Sequence, residues 1–391
     1  MPRLPIGSRR RLQIVSIRSV AILSRVHSGE PVERDPGRVP GRDSSSAHEA
    51  WLRARATVGL YGDPTVPWSI VLQADLSEPI EAGTLHARLA ALSARYPHLG
   101  GAPSVVATGR PDEVRDDFAG RPYDGREPLV RAALVGSPPV LLLAGHHGAV
   151  DGLGLLALLG AAVDQPVRTN VVGMRDRVIA PSFALAAARR VGEAVFAPPT
   201  RVRAVPPARP DGRGEVLVAE RLPRLRAGTA AVTAAAVAVV QDWNGGRHGR
   251  VVAAIGASRR DGDDLTPEHR AAYLRLRLPP GADRSLVRTM LENQVLEPDF
   301  PPSRNVVVRL GARVLARRLG ATFLVSNLGA VEIGGPVASL TFYPQPSGPS
   351  GVAVGVVSTT AATALTVRAR RRDFTAAAAA DLLARLVAAL R

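Results

Sequence analysis

At 391 residues the chain is longer than one hydrophobic core usually covers, and its 46% hydrophobic and 21% charged residues exclude a wholly disordered protein, so two folded halves are expected. The absence of cysteine excludes disulfides, thiolate nucleophiles and Cys-ligated zinc, and no apolar run reaches the ~18 residues that a bilayer span needs, so a cytoplasmic chain with no membrane span is expected. The net charge of +16 is carried by arginine alone, in a chain whose wealth of Ala, Gly and Pro fits GC-rich coding; with only 4% aromatics for base stacking, no nucleic acid is expected as a partner.

Residues 1–47 read as a basic tail, either disordered or an over-long start. They hold Arg9-Arg10-Arg11 and nine Arg in all against Glu30, Glu33, Asp35 and Asp43, a balance of +5, and close on Ser44-Ser45-Ser46. Arg18 interrupts the apolar stretch from Leu12 to Leu23, which argues against a secretory signal. From Val66 the pattern becomes regular. Val66 to Leu76 reads as a strand, and Glu81 to Arg95 as a helix with Leu85, Leu89 and Leu92 on one face. Strands Leu129 to Val135 and Val140 to Gly145 follow, joined by the turn formers Gly136-Ser137-Pro138-Pro139. The second of them runs into His146 and His147, after which Leu153 to Val163 reads as a buried helix.

Phe183 to Val195 reads as a short helix, and the proline-rich run Pro198 to Pro210 resists regular structure because proline lacks an amide donor. Next come a strand Glu215 to Arg221, a helix Ala230 to Trp243 with Thr229 as its cap, a turn Asn244-Gly245-Gly246 and a strand Arg250 to Ala257. Strands are further expected at Tyr273 to Leu278, Thr322 to Ser326, Val337 to Tyr343, Val352 to Val357 and Ala364 to Arg370, with a closing helix from Thr375 to Leu390. The organisation predicted is a first subdomain over 48–175, a crossover or linker over 176–213 and a second subdomain over 214–391, each mixing strands and helices in α/β layers.

The segment that carries chemistry is His146-His147-Gly148-Ala149-Val150-Asp151-Gly152, at a strand-to-helix junction. Chance would place such a pattern about once in a thousand or more chains of this composition. A neutral imidazole accepts a proton near pH 7 and so activates a hydroxyl, amine or thiol for attack on an acyl carbon. An Asp four residues on does not easily reach the same ring; it fixes the loop through an ionic pair, while Gly152 lets the following helix approach closely.

His146 to Gly152 matches the HHxxxDG signature, and the chain from Glu49 to Arg391 resembles the condensation-domain and chloramphenicol acetyltransferase-like superfamily of acyltransferases, whose relatives include polyketide-associated acyltransferases and wax ester synthases. The strand and the Leu-rich helix flanking the motif agree with that likeness, as does Pro67 to Leu99, which looks like the family's opening strand and helix. A second match is Phe323-Leu324-Val325-Ser326-Asn327-Leu328-Gly329, similar to an SNLG-type segment, although this tetrapeptide is also an ordinary strand end. The resemblance implies an α/β fold of α+β two-layer sandwiches, two chloramphenicol acetyltransferase-like subdomains forming a V around a central tunnel. It implies transfer of an acyl group from a coenzyme A or carrier-protein thioester to a small alcohol or amine, in secondary-metabolite or lipid biosynthesis. No tightly bound cofactor and no metal are expected, and a monomer suffices. His147 is the implied general base, with Ser326 (or, second to it, Asn327) donating to the oxyanion and His146, Asp151 and Gly152 holding the loop.

The chain departs from the family at Arg95-Tyr96-Pro97-His98-Leu99-Gly100, where Gly100 replaces an Arg that often pairs with the motif Asp; Arg259 is the candidate substitute, the alternative being Asp151 as a cap of backbone amides alone. No DFGWG-like segment is found, which favours simple acyl transfer over peptide-bond condensation. Other readings stay open: a catalytically silent module that binds a carrier protein or biosynthetic partner, two metal-ligating histidines, or a basic nucleic-acid or membrane-surface protein. Ser258-Arg259-Arg260 is either a grip for a coenzyme phosphate or a solvated face, and Trp68 and His98 either approach the acyl channel or pack the core.

Overall fold

The computed structural model describes residues 42–58, 66–174, 182–208, 214–223, 225, 227–246, 249–261, 265–298, 318–346 and 351–391. Of the expected basic tail, residues 1–41 lie outside the described residues, and 42–47 begin helix α1 (Arg42–Thr57). That helix escapes a periodicity search because its buried stripe is built from alanines, Ala47, Ala50 and Ala54, rather than from large apolar side chains.

The chain then runs through β1 (Ser69–Leu76), α2 (Ala82–Arg95), β2 (Val105–Val106), α3 (Pro111–Gly120), β3 (Val130–Val135), β4 (Val140–His146), α4 (Gly152–Val163), β5 (Val167–Thr169) and α5 (Phe183–Phe196). It continues with β6 (Glu215–Pro223), α6 (Thr229–Trp243), β7 (Val251–Ser258), β8 (Ala271–Leu278), α7 (Arg284–Asn293), β9 (Phe323–Ile333), β10 (Val337–Tyr343), β11 (Val352–Ser358), β12 (Ala362–Arg370) and α8 (Ala376–Leu390). Every regular element expected from Val66 onward is present, with bounds within a few residues except for β9, which runs seven residues past the expected end at Ser326. Those not anticipated, α3, α7, β2 and β5, are short or bury only one or two side chains each. Thr229 is not the cap of α6 but its first residue; Gly228 holds the extended cap conformation.

Two sheets organise the chain, one in the order β10-β1-β4-β3-β2 and the other in the order β6-β12-β11-β9-β7-β8, with β5 added to β9. In the first, β4 (Val-Leu-Leu-Leu-Ala-Gly-His) is buried on both faces, so it reads as an unbroken apolar run. Leu141 and Leu143 pack with Leu85, Leu89 and Leu156 beneath α2 and α4, while Leu142 and Ala144 pack with Phe118 under α3. In the second sheet, Leu274, Leu276 and Leu278 of β8 join the core under α6, α7 and α8, which leaves Tyr273, Arg275 and Arg277 on the other face.

The halves exchange strands. β10 leaves the second stretch of chain to pair antiparallel with β1, from Val71 with Tyr343 to Leu76 with Val337, and β5 pairs with the end of β9. Where the sheets meet, Arg368 of β12 is fully buried. It pairs with Glu215 of β6 and donates to the carbonyls of Ser69 (2.6 Å), Ala119 (3.1 Å) and Tyr343 (3.3 Å) and to Gln345 Oε1 (2.6 Å).

Candidate active site

His146 closes β4 and His147 opens the turn into α4. His146 is buried, its Nδ1 accepts from the Gly148 amide at 3.0 Å, and its ring meets the edge of Tyr123, whose other neighbour is the Arg131 guanidinium. Burial, with His147 next in effect, pushes its pKa down to about 3, so it is a neutral brace for the turn. His147 is half-buried and faces two cavities. Its amide donates to the Trp68 carbonyl at 2.6 Å, its Nδ1 faces the Val150 carbonyl at 3.4 Å, and its Nε2 lies 3.2 Å from the Tyr273 hydroxyl. A carbonyl can only accept, so this geometry puts the ring proton on Nδ1 and makes Nε2 the accepting nitrogen, facing the Tyr273 hydroxyl. Burial first and His269 second, its ring 5.2 Å away, push the pKa of His147 down to about 4.

Asp151 is buried and holds three donors: the Gly154 amide at 2.8 Å as the cap of α4, the Arg260 guanidinium at 2.6 Å and the Arg270 amide at 2.9 Å. Its cationic partner is therefore Arg260, not Arg259. Arg260 also donates to the carbonyls of Thr266 (2.9 Å) and Glu268 (2.8 Å), so the motif is clamped to the segment before β8. The two terminal nitrogens of Arg260 are both engaged, and a buried ion pair supported by such further hydrogen bonds offsets part of its own desolvation. Neither Ser258 nor Arg260 is a solvated face, since both are buried; Arg259 lines a chamber beside His147.

Glycines decide how closely the motif is packed. A Cβ on Gly148 would stand 2.0 Å from the Ala54 carbonyl oxygen of α1, and one on Gly152 would stand 2.6 Å from Leu328. Gly100 takes a left-handed φ of 79°, and a Cβ there would lie 3.2 Å from the Ala47 backbone. Helix α1 thus crowds the space that a side chain at position 100 would enter. Gly148→Ala is expected to undock α1, read as a lower thermal midpoint and as faster protease cleavage on the N-terminal side of β1.

Ser326 lies mid-strand in β9, in register with Gly355 of β11, and a Cβ on Gly256 of β7 would stand 3.1 Å from its Oγ. Gly256 leaves the hydroxyl room on that side, whereas the space beside Gly355 is taken by Phe342, Pro344 and Thr366. Ser326 and His147 line one cavity of about 60 Å³, together with Gly152, Tyr273, Asn327 and Phe342. Asn327 is engaged elsewhere: its amide group donates to Thr229 of α6 and its Oδ1 accepts from the Gly329 amide, so it shapes the strand. A second cavity of about 110 Å³ opens on the other side of His147, walled by Trp68, Arg190, Arg259, His269 and Tyr273. Trp68 holds a φ of 53°, a strained conformation for a bulky residue, and supplies both a wall and the carbonyl that anchors His147. His98 reaches the Pro267 carbonyl at 2.8 Å and steadies the Asp151 clamp.

No site role is expected from the sequence for Arg270, His269 or Tyr273, and Arg260 enters there only within the Ser258-Arg259-Arg260 cluster, not as the partner of Asp151. The signal available for Tyr273 was the alternation Tyr-Leu-Arg-Leu-Arg-Leu, which puts it on the face opposite the helices; for the others no local pattern exists. Among the described residues no helix is long and apolar enough to cross a membrane.

No protein-family profile matches the chain, and no curated protein matches it. Among solved structures it is similar to a mutant starter condensation domain of rhizomide synthetase RzmA, in complex with C8-CoA and Leu-SNAC, at 17% identity and a TM-score of 0.55 over 88% of this chain and 92% of that one. It is also similar to the first condensation domain of the calcium-dependent antibiotic synthetase in complex with a substrate analogue, at 17% identity and a TM-score of 0.54 over 88% and 94%. The chain has the fold of condensation domains, with two sheets of mixed α/β layers as expected.

Proposed function

We propose that this protein transfers an acyl group from a thioester, carried by coenzyme A or a phosphopantetheinyl carrier protein, to an alcohol or amine. The observation that carries the reading is the placement of His147 and Ser326 on one cavity, with the imidazole neutral and Nε2 as its accepting nitrogen. The C8-CoA and Leu-SNAC bound by a protein of the same fold support a thioester donor.

In this mechanism the acceptor oxygen or nitrogen attacks the thioester carbonyl carbon as its proton passes to His147 Nε2. The carbonyl oxygen becomes an oxyanion that the Ser326 hydroxyl stabilises; one such donor is commonly worth ~3 kcal/mol in the barrier. Collapse breaks the carbon–sulfur bond, and the imidazolium returns its proton to the thiolate. Because the thioester already carries an activated acyl group, no covalent enzyme intermediate is required. Asp151 acts at a distance, holding the turn through Arg260 and the α4 amide.

The test is release of free thiol from acyl-coenzyme A and acyl-carrier protein with a panel of alcohols and amines. Release that depends on an acceptor supports the reading, and none across a broad panel overturns it. The pH profile is a further expectation. With a His147 pKa near 4 rather than the ordinary 6.5, the rate should hold level down to about pH 5 and fall through an inflection near 4. The same groups set stability. Between pH 6.5 and about 4 the unfolded chain binds protons that folded His146 and His147 refuse, so stability is complete above pH 6.5 and declines as pH falls below it. Thermal midpoints at pH 7.5 and pH 5 check the sign.

A further inference from the structure

We infer that Tyr273 caps the basic nitrogen of His147 and keeps water off it until an acceptor displaces the phenol. The geometry stands on its own; its catalytic consequence rests on the acyl-transfer reading. A general base takes a proton from an atom about 2.6–3.2 Å away. The Tyr273 hydroxyl already stands 3.2 Å from Nε2. With the ring proton directed at Val150, the phenol must be the donor and Nε2 the acceptor, so the lone pair that would receive a substrate's proton is engaged.

Tyr273 and His147 also line both cavities, the one shared with Ser326 and the one walled by Trp68 and Arg259. The phenol therefore stands at the partition between two chambers, at the station the attacking atom must occupy. Strand alternation brings it there: Leu274 and Leu276 are locked in the core beneath the helices, so Tyr273 must face the opposite way.

The cap matters because water is a competing nucleophile. At an open station its oxygen would attack the thioester carbonyl carbon and its proton would pass to Nε2. The carbon–sulfur bond would break, the thiolate would regain the proton, and the products would be a free acid and a thiol with no acceptor acylated. An acceptor that fits a chamber displaces the phenol by its own contacts, whereas water brings none.

Tyr273→Phe keeps the ring at the partition and removes only the hydroxyl; Tyr273→Leu, which also lacks it, repeats the comparison if the first variant is unstable. In the full-length chain at pH 7, modification of His147 by diethyl pyrocarbonate, read at that peptide by mass, should speed up about fivefold, the worth of one neutral hydrogen bond. With acyl-coenzyme A and an accepted alcohol or amine, the fraction of released thiol matched by free acid should rise by a similar factor. A merely structural tyrosine would lower acid and transfer product in proportion and leave that fraction where it was. An unchanged modification rate overturns the cap whatever the turnover, and a raised rate with an unchanged acid fraction overturns its shielding of water. If modification speeds up while no variant cleaves any thioester, the cap stands and the acyl-transfer reading falls.

Discussion

His147→Ala is expected to slow thiol release from an accepted thioester about a thousandfold at pH 7, within the range a positioned general base supplies. The loss should be in turnover and not in folding. The ring is only partly buried, and its polar contacts are a long approach to the Val150 carbonyl and one to the Tyr273 hydroxyl, so the circular dichroism spectrum and thermal midpoint should stay close to those of the parent. Ser326→Ala should cost about a hundredfold if its hydroxyl serves the oxyanion, because that contact strengthens only as charge develops. Base and oxyanion donor serve one transition state, so the double variant should lose less than the product of the two factors. A His147→Ala variant that retains turnover within about tenfold of the parent would sink the assignment of the base.

Arg368→Met is expected to lower the unfolding free energy by about 3–5 kcal/mol, because it strands the buried Glu215 carboxylate and removes donors from three carbonyls at the junction of the sheets. Burial weakens the hold of Arg368 on its proton, and Glu215 is the opposing influence that keeps the charge in place. The diagnostic measurement is the companion variant Arg368→Met with Glu215→Met. Removing both charges should recover a good part of the loss, since the penalty of the single change lies in the carboxylate left without its cation. Urea unfolding of the parent, the two single variants and the double variant closes the cycle. A single-variant cost below about 1 kcal/mol would show that the ionic contacts at this junction do not hold the sheets together.

Much of the secondary structure was legible because strong apolar periodicity is a local property. The run Val140 to Gly145, the helix after His147 and the alternation in β8 each announce themselves within a few residues. Helix α1 did not, since three alanines give too weak a stripe, and it proved to seal the motif turn. The candidate base was legible for another reason: His147 sits in a seven-residue pattern at a strand end, where the chemistry and the turn require particular residue types together.

The clamp on Asp151 could not be read in the same way. Its partner Arg260 stands 109 positions along the chain, beside an Arg259 of equal chemical promise, and only the direction of the backbone after β7 selects between them. The same holds for β10, whose own residues specify a strand but not the sheet it joins, because edge pairing with β1 depends on how two distant segments approach. What the chain determined by itself was its α/β character and the residue proposed to move the proton, since both are written in local pattern. Which arginine holds Asp151, which phenol faces Nε2 and which strand each half lends the other were decided by tertiary structure, through contacts with no local signature.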